Sequence, residues 1–239
     1  MKAFWNLLRW DMVMQVRYGF WAAGAVVTMV WVALLWSLPK DLLDLWLPYL
    51  LYSDISVVGL FFICGIVFFD RRQGMINALA VSPMTTRSWL VSKVVSLTFL
   101  STMVVCALAV LLYGWGLAWG RLLPGIILSS VLFTLIGFLG AARLTTMTGF
   151  LTFFILVSIP SGLPTLAYFD IWSHPLLWLL PFQPMLVVIR HGFVPVSTGE
   201  ATLAFVLLLA WIGLGYHLAV LSFHRYLASR PGYQRPEAG

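Results

Sequence analysis

Six stretches of near-continuous apolar residues, 20–38, 49–69, 94–115, 122–142, 148–169 and 201–223, alternate with short polar segments along the chain. Each is about 20 residues long, the length a helix needs to cross the hydrocarbon of a bilayer. A seventh apolar segment, 176–189, is shorter and contains Pro181 and Pro184. Its length and its prolines predict a re-entrant or interfacial piece rather than a crossing. Ahead of the first stretch, a helical projection gathers Lys2, Asn6, Arg9 and Arg17 on one arc, with Phe4, Trp5, Leu8 and Met12 elsewhere on the circumference. That segment either lies in the headgroup plane or runs on into the first span as one long helix. Trp5, Trp10, Arg9 and Arg17 are interface residues and favour the former.

The composition agrees with this pattern. Of 239 residues, 62% are hydrophobic and 9% charged, with a mean hydropathy of +0.97. These values exclude a water-soluble domain with an ordinary surface. The expected fold is all-α: a single polytopic membrane domain over 1–239, with an interfacial helix at 1–19, six spans and a half-membrane segment within the loop 170–200. Cys64 and Cys106 both fall inside apolar runs, so they read as small core residues rather than as a disulfide or metal pair. The N-terminal segment has no small-residue cleavage site after an apolar core and is expected to be retained.

Six spans place both termini on one side, and charge indicates which. Eleven basic residues fall there: Lys2, Arg9, Arg17, Arg71, Arg72, Arg87, Lys93, Arg143, Arg225, Arg230 and Arg235. Lys40, Arg121 and Arg190 fall on the other. The positive-inside rule therefore predicts cytoplasmic termini. The net charge of +6 is an orientation and lipid-headgroup signal and does not call for a nucleic-acid partner.

Candidate chemistry is sparse. The nearest approach to a phosphate-binding loop, Gly120 to Gly125, is followed by Ile126 and Ile127 in place of Lys and Ser or Thr, so the chain has no P-loop with which to hydrolyse ATP. No His-Glu-x-x-His, Gly-x-Ser-x-Gly or paired intramembrane carboxylates occur, and catalysis by this chain is not expected. Four residues are candidates for a pathway. Asp54, near the start of the second apolar stretch, either lines a substrate path or sits hydrated at the outer interface beside Tyr52 and Ser53. His217 either contacts substrate or packs as a hydrogen-bonded residue. Pro160 and Pro164 interrupt the fifth stretch and predict a bend, which either flanks a cavity or is structural only. Arg190 and His191, after the proline-broken segment, read as a solvated loop.

The polar interruption at 70–93 is the richest segment. It opens Asp70-Arg71-Arg72-Gln73-Gly74, continues through Met75, Ile76, Asn77, Ala78, Leu79, Ala80 and Val81, turns at Ser82-Pro83, and ends with Thr85, Thr86, Arg87, Ser92 and Lys93. Residues 75–81 suffice for two helical turns. Pro83 forces Ser82 out of the helical region, and Thr85 or Thr86 can cap the next helix. The predicted product is a short helix lying under the membrane, flanked by Arg71, Arg72 and Arg87, with Met75, Ile76 and Leu79 as its apolar ridge. It either pairs with anionic lipid or docks a partner.

The order Asp70, Arg71, Gly74, apolar helix, Ser82, Pro83, Ser92, Lys93 resembles the coupling loop of type 2 ABC transporter permeases, with Met75 and Asn77 departing from the residues usual there. The segment from Thr148 to Pro184, with Pro160, Tyr168-Phe169, His174-Pro175-Leu176-Leu177 and Leu180-Pro181-Phe182-Gln183-Pro184, is similar to the short permeases of the fluoroquinolone-export type. This resemblance implies an export subunit that moves a hydrophobic or amphipathic compound. It further implies pairing with a second permease copy or homologue and with separate P-loop ATPase subunits that carry the ATP and Mg. No cofactor is then expected on this chain, and the 70–93 loop would sit in a groove of the ATPase. The alternatives are a self-standing channel or secondary transporter, which lacks deep polar residues beyond Asp54 and His217, and a lipid-modifying enzyme, which lacks clustered acids.

Overall fold

The computed structural model describes residues 2–75, 85–144 and 146–228. They form helices and connecting turns only: α1 (Lys2–Arg17), α2 (Phe20–Leu35), α3 (Lys40–Val57), a π-turn (Val58–Phe62), α4 (Ile63–Arg72), α5 (Thr86–Tyr113), α6 (Trp119–Arg143), α7 (Met147–Tyr168), a 3-10 turn (Pro175–Leu179), α8 (Phe182–Arg190) and α9 (Thr198–Ala228). Five stretches are long and apolar enough to cross a membrane: Lys40–Arg72, Arg87–Tyr113, Trp119–Arg143, Thr148–Tyr168 and Thr198–Phe223. The bent pair α1–α2 supplies a sixth. The all-α polytopic architecture is therefore as the apolar pattern predicts.

Helix α1 turns away from α2 by 56°, and the corner is Gly19, whose φ of +75° lies in the left-handed region. One long helix through Arg17 and Phe20 is thereby ruled out. Trp5, Trp10, Val13 and Val16 are exposed on α1, while Leu8, Asp11 and Gln15 are buried. Contacts place α1, the end of α4, the start of α5, the end of α6 and the end of α9 together at one end of the bundle, the loop end. Both described termini lie at that end.

Helix α6 is the axis of the bundle, touching α3, α4, α5, α8 and α9. Two glycines allow the closest of these approaches. A Cβ on Gly59, in the π-turn, would lie 2.6 Å from Phe133 Cβ, and one on Gly137 would lie 2.8 Å from the Gly59 carbonyl oxygen. Small residues let backbones meet in this way, and in lipid, where no hydrophobic force draws helices together, such packing is a principal source of association.

Several expected boundaries shift. The second span starts at Lys40 rather than Tyr49, because Asp41 and Asp44 are accommodated in the helix; Tyr113 donates its hydroxyl to Asp44 Oδ1 at 2.6 Å. The first ends at Leu35 rather than Leu38, cut short by a turn before Pro39. The third starts at Thr86 rather than Val94, with Thr85 Oγ1 accepting the Ser88 backbone N–H as its cap. Helix α7 is continuous through Pro160 and Pro164, and a π-turn interrupts the second span.

The proline-rich segment is a half-depth insertion. Phe182 stacks with Phe133 near the middle of α6 (5.8 Å), the Val188 carbonyl lies against Gly125, and Gly192 lies against Leu122 at the start of α6. Residues 182–192, α8 and the turn after it, thus run antiparallel to α6 along about eleven of its residues, roughly 16 Å. Seven of its side chains from Phe182 to Ile189 are buried. At its C-terminal end Arg190 lies over the Tyr168 ring at 5.4 Å. His191 Nδ1 accepts the Val196 backbone N–H at 3.1 Å, and partial burial together with nearby Arg121 holds this imidazole below its ordinary pKa. Cys64 is a buried core residue and Cys106 is half-buried, both unbridged.

Replacing Gly59 with alanine drives a methyl into Phe133 and its backbone, and is expected to destabilise the fold by about 1–3 kcal/mol. A thermal unfolding midpoint in detergent equal to that of the parent would contradict this account of the crossing.

Candidate functional site

The base of the 70–93 loop is a buried charged cluster. Lys93, on the second turn of α5, is 2% exposed. Its ammonium lies 2.6 Å from Asp11 Oδ1 on α1 and 2.7 Å from Asp70 Oδ2 on α4. Asp11 and Asp70 are themselves 2% and 5% exposed. Ser92 donates its hydroxyl to Asp11 Oδ2 at 2.5 Å, and Gln15, one turn along α1 from Asp11, donates to Ser96 Oγ at 3.0 Å. The Lys93 ammonium also stands 5.6 Å from the centre of the Trp89 ring, a cation–π distance. Two carboxylates, a hydroxyl and an indole face replace the water lost on burial, a loss that costs several kcal/mol for each unpaired ion.

The geometry has a mechanical consequence. Asp70 and Lys93 are the two ends of the loop, and their ion pair ties them to each other. Asp11 ties both to α1. Arg71 extends the tie to α6: its Nη1 donates to the Leu144 carbonyl at 2.5 Å and its Nη2 to those of Ala141 and Ala142 at 2.7 and 3.1 Å. These are carbonyls a helix C-terminus leaves without intrahelical partners, and a guanidinium there also complements the helix dipole. From the same terminus Arg143 Nε donates to Ser222 Oγ on α9 at 3.0 Å. Trp89 stacks on Phe223 of α9 at 4.6 Å and meets Phe138 of α6 edge-on at 5.8 Å. Tyr18, between α1 and α2, stacks on Phe69 at 4.2 Å and receives the Gln73 side-chain amide.

The loop residues singled out by sequence thus divide. Asp70 is buried and Arg71 half-buried, and both are engaged within the chain. Arg72 and Arg87 are exposed. Gly74 has a φ of +71° with open space around it, the left-handed conformation that lets α4 end and the chain turn. Met75 is half-buried. Ile76, Leu79, Ser82 and Pro83, and with them the loop helix and its turn, lie outside the described residues.

The pathway candidates are not brought together. Asp54 is 6% exposed and accepts the Trp31 indole N–H at 3.1 Å, which pins α2 to α3. Hydration at the outer interface does not describe it. Pro164 is buried and Pro160 half-buried on α7. His217 faces outward from α9. Sequence reasoning missed Asp11 as a structural partner. The available signal was Asp11 and Gln15 four residues apart, a polar pair on one face of an amphipathic helix.

Over residues 2–231 the sequence matches the Fluoroquinolones export permease protein family. The chain belongs to that family. It is 31% identical over 191 residues to the Fluoroquinolones export permease proteins of Mycobacterium tuberculosis strains CDC 1551 / Oshkosh and ATCC 25618 / H37Rv, a match covering 80% of this chain and 81% of each relative. As a family member it is a multi-pass membrane permease with a transport function. The residues of the charged cluster fall within the matched region.

Lys93→Met leaves two buried carboxylates facing each other and is expected to cost about 3–5 kcal/mol. Thermal unfolding in detergent measures it, and the triple variant Asp11→Asn, Asp70→Asn, Lys93→Met is expected to regain most of the loss. A Lys93→Met chain as stable as the parent would remove the cluster from its structural role.

Proposed function

We propose that this chain is the membrane-spanning subunit of an ATP-binding cassette exporter in a bacterial inner membrane, with both termini in the cytoplasm. It forms one wall of a path for a hydrophobic or amphipathic compound, and a second copy or homologous permease forms the other. The names of the relatives make fluoroquinolones the first compounds to try. ATP and Mg belong to a separate P-loop ATPase, consistent with the lack of a phosphate-binding loop in this sequence.

One observation carries the reading: both ends of the 70–93 loop are locked to each other and, through Asp11 and Arg71, to α1 and α6. A loop anchored in this way works as a lever. Displacement of its tip by a closing ATPase reaches three helices without being lost in a soft hinge. A partner that prefers one loop position shifts the populations of the membrane states by that difference in affinity. Asp54, Pro160, Pro164 and His217 remain the candidates for the path, and Arg72, Arg87, Gly74, Met75, Ile76, Leu79, Ser82 and Pro83 for the docking surface. Asp70 and Arg71 act from behind it as its mount.

The test is co-expression with a P-loop ATPase encoded beside this chain. Co-purification is expected with the parent and lost on deleting residues 75–81. Gly74→Pro, incompatible with a positive φ, is expected to leave the permease inserted and ATP hydrolysis running, but to abolish fluoroquinolone export from vesicles. Retention of the ATPase by the deletion variant, together with undiminished export by Gly74→Pro, would overturn the proposal.

A further inference from the structure

Helix α7 packs loosely. Within its spanning stretch 11% is buried, against 61–67% for the second, third and fourth spans. At the loop end it stands away from α6 and α9 and leaves a cleft of about 630 Å³, walled by Ile136, Gly140 and Arg143 of α6, Thr152 and Leu156 of α7, and Leu218 of α9. Gly140 has the Phe153 ring laid directly on it, since a Cβ there would stand 2.3 Å from the ring. That contact closes the floor while the mouth stays open. The walls are overwhelmingly apolar, with Thr152 and Arg143 the polar side chains among them. From Ile136 to Arg143 the cleft runs about 10 Å along α6, within the roughly 15 Å depth of a single leaflet.

Arg143 marks one end. It is the last residue of α6 and is exposed, and its Nε bond to Ser222 holds the guanidinium at the mouth. Among the described residues no carboxylate lines the cleft. Leu144, which does, gives its carbonyl to Arg71, so a second guanidinium stands behind the same rim. Asp70, the neighbouring acid, is turned inward to Lys93. Apolar walls at membrane depth with a cationic rim at headgroup height match one chemistry, an acyl chain beneath a phosphate.

We infer that this cleft is a site for one anionic phospholipid, its phosphate on Arg143 and an acyl chain between α6, α7 and α9. The lipid fills the gap that α7 leaves and braces α7 against the helix that Arg71 ties to the loop. The site depends on the fold of the permease and stands apart from the ATPase reading.

Native mass spectrometry of the detergent-purified chain with equal amounts of dioleoylphosphatidylglycerol and dioleoylphosphatidylcholine tests it. The parent is expected to retain one phosphatidylglycerol with about fivefold preference. Arg143→Gln is expected to erase the preference while leaving total lipid retention near that of the parent. Thr152→Trp, which fills the cleft, is expected to lower retention of both lipids, with both variants eluting as monodisperse species. Equal retention of the two lipids by the parent, or a preference that survives Arg143→Gln, would overturn the site. A fluoroquinolone retained in place of phosphatidylglycerol, and lost in both variants, would overturn it in favour of the transported compound.

Discussion

Burying an ammonium among helices is unfavourable by several kcal/mol unless opposite charge goes with it, and Lys93 is buried with two carboxylates from two other helices. That requirement fixes the loop end of the bundle. Asp11 must come from α1, so α1 cannot drift freely in the headgroup plane. Asp70 must come from α4, so the second and third spans leave the membrane side by side. The same constraint explains why the third span begins at Thr86. Once paired, Lys93 is an interior residue, and the helix extends through it.

From this cluster the connections run outward in two directions. Arg71, adjacent to Asp70, satisfies carbonyls at the end of α6, and Arg143 from that end reaches α9. Trp89, one turn before Lys93, carries the aromatic packing to Phe138 and Phe223. Polar ties at the loop end and close glycine contacts at mid-depth, Gly59 with Gly137 and Gly125 with Val188, together hold α3 to α6 and α8. Helix α7 takes little part in either set of contacts, and the cleft beside it follows from that.

Much of this was legible beforehand. The six apolar stretches, a separate N-terminal helix, a short proline-rich segment and the cap at Thr85 follow from hydropathy, length and local chemistry, which depend on near neighbours in sequence. The misreadings share a cause. Span boundaries at Tyr49 and Val94 came from treating Asp41, Asp44 and Lys93 as too polar for a membrane helix, yet Asp44 is bonded by Tyr113 and Lys93 is paired with Asp11, each more than sixty positions away. The interface alternative for Asp54 has the same origin, its partner being Trp31. Helix α7 runs on through Pro160 and Pro164, and nothing about residues 58–62 in isolation announces the π-turn of the second span.

By itself the sequence determined that the chain is a helical membrane protein, how many apolar segments it offers and where its loop carries chemistry, because the bilayer penalises unpaired backbone and charge whatever the fold. Which charges are paired was decided only by the tertiary structure. Pairing needs two groups within about 3 Å, and that separation is a property of helix packing. Asp70 and Arg71 are the clearest case: as residues of a basic loop they read as a surface, and in the folded chain they are the mount that holds it.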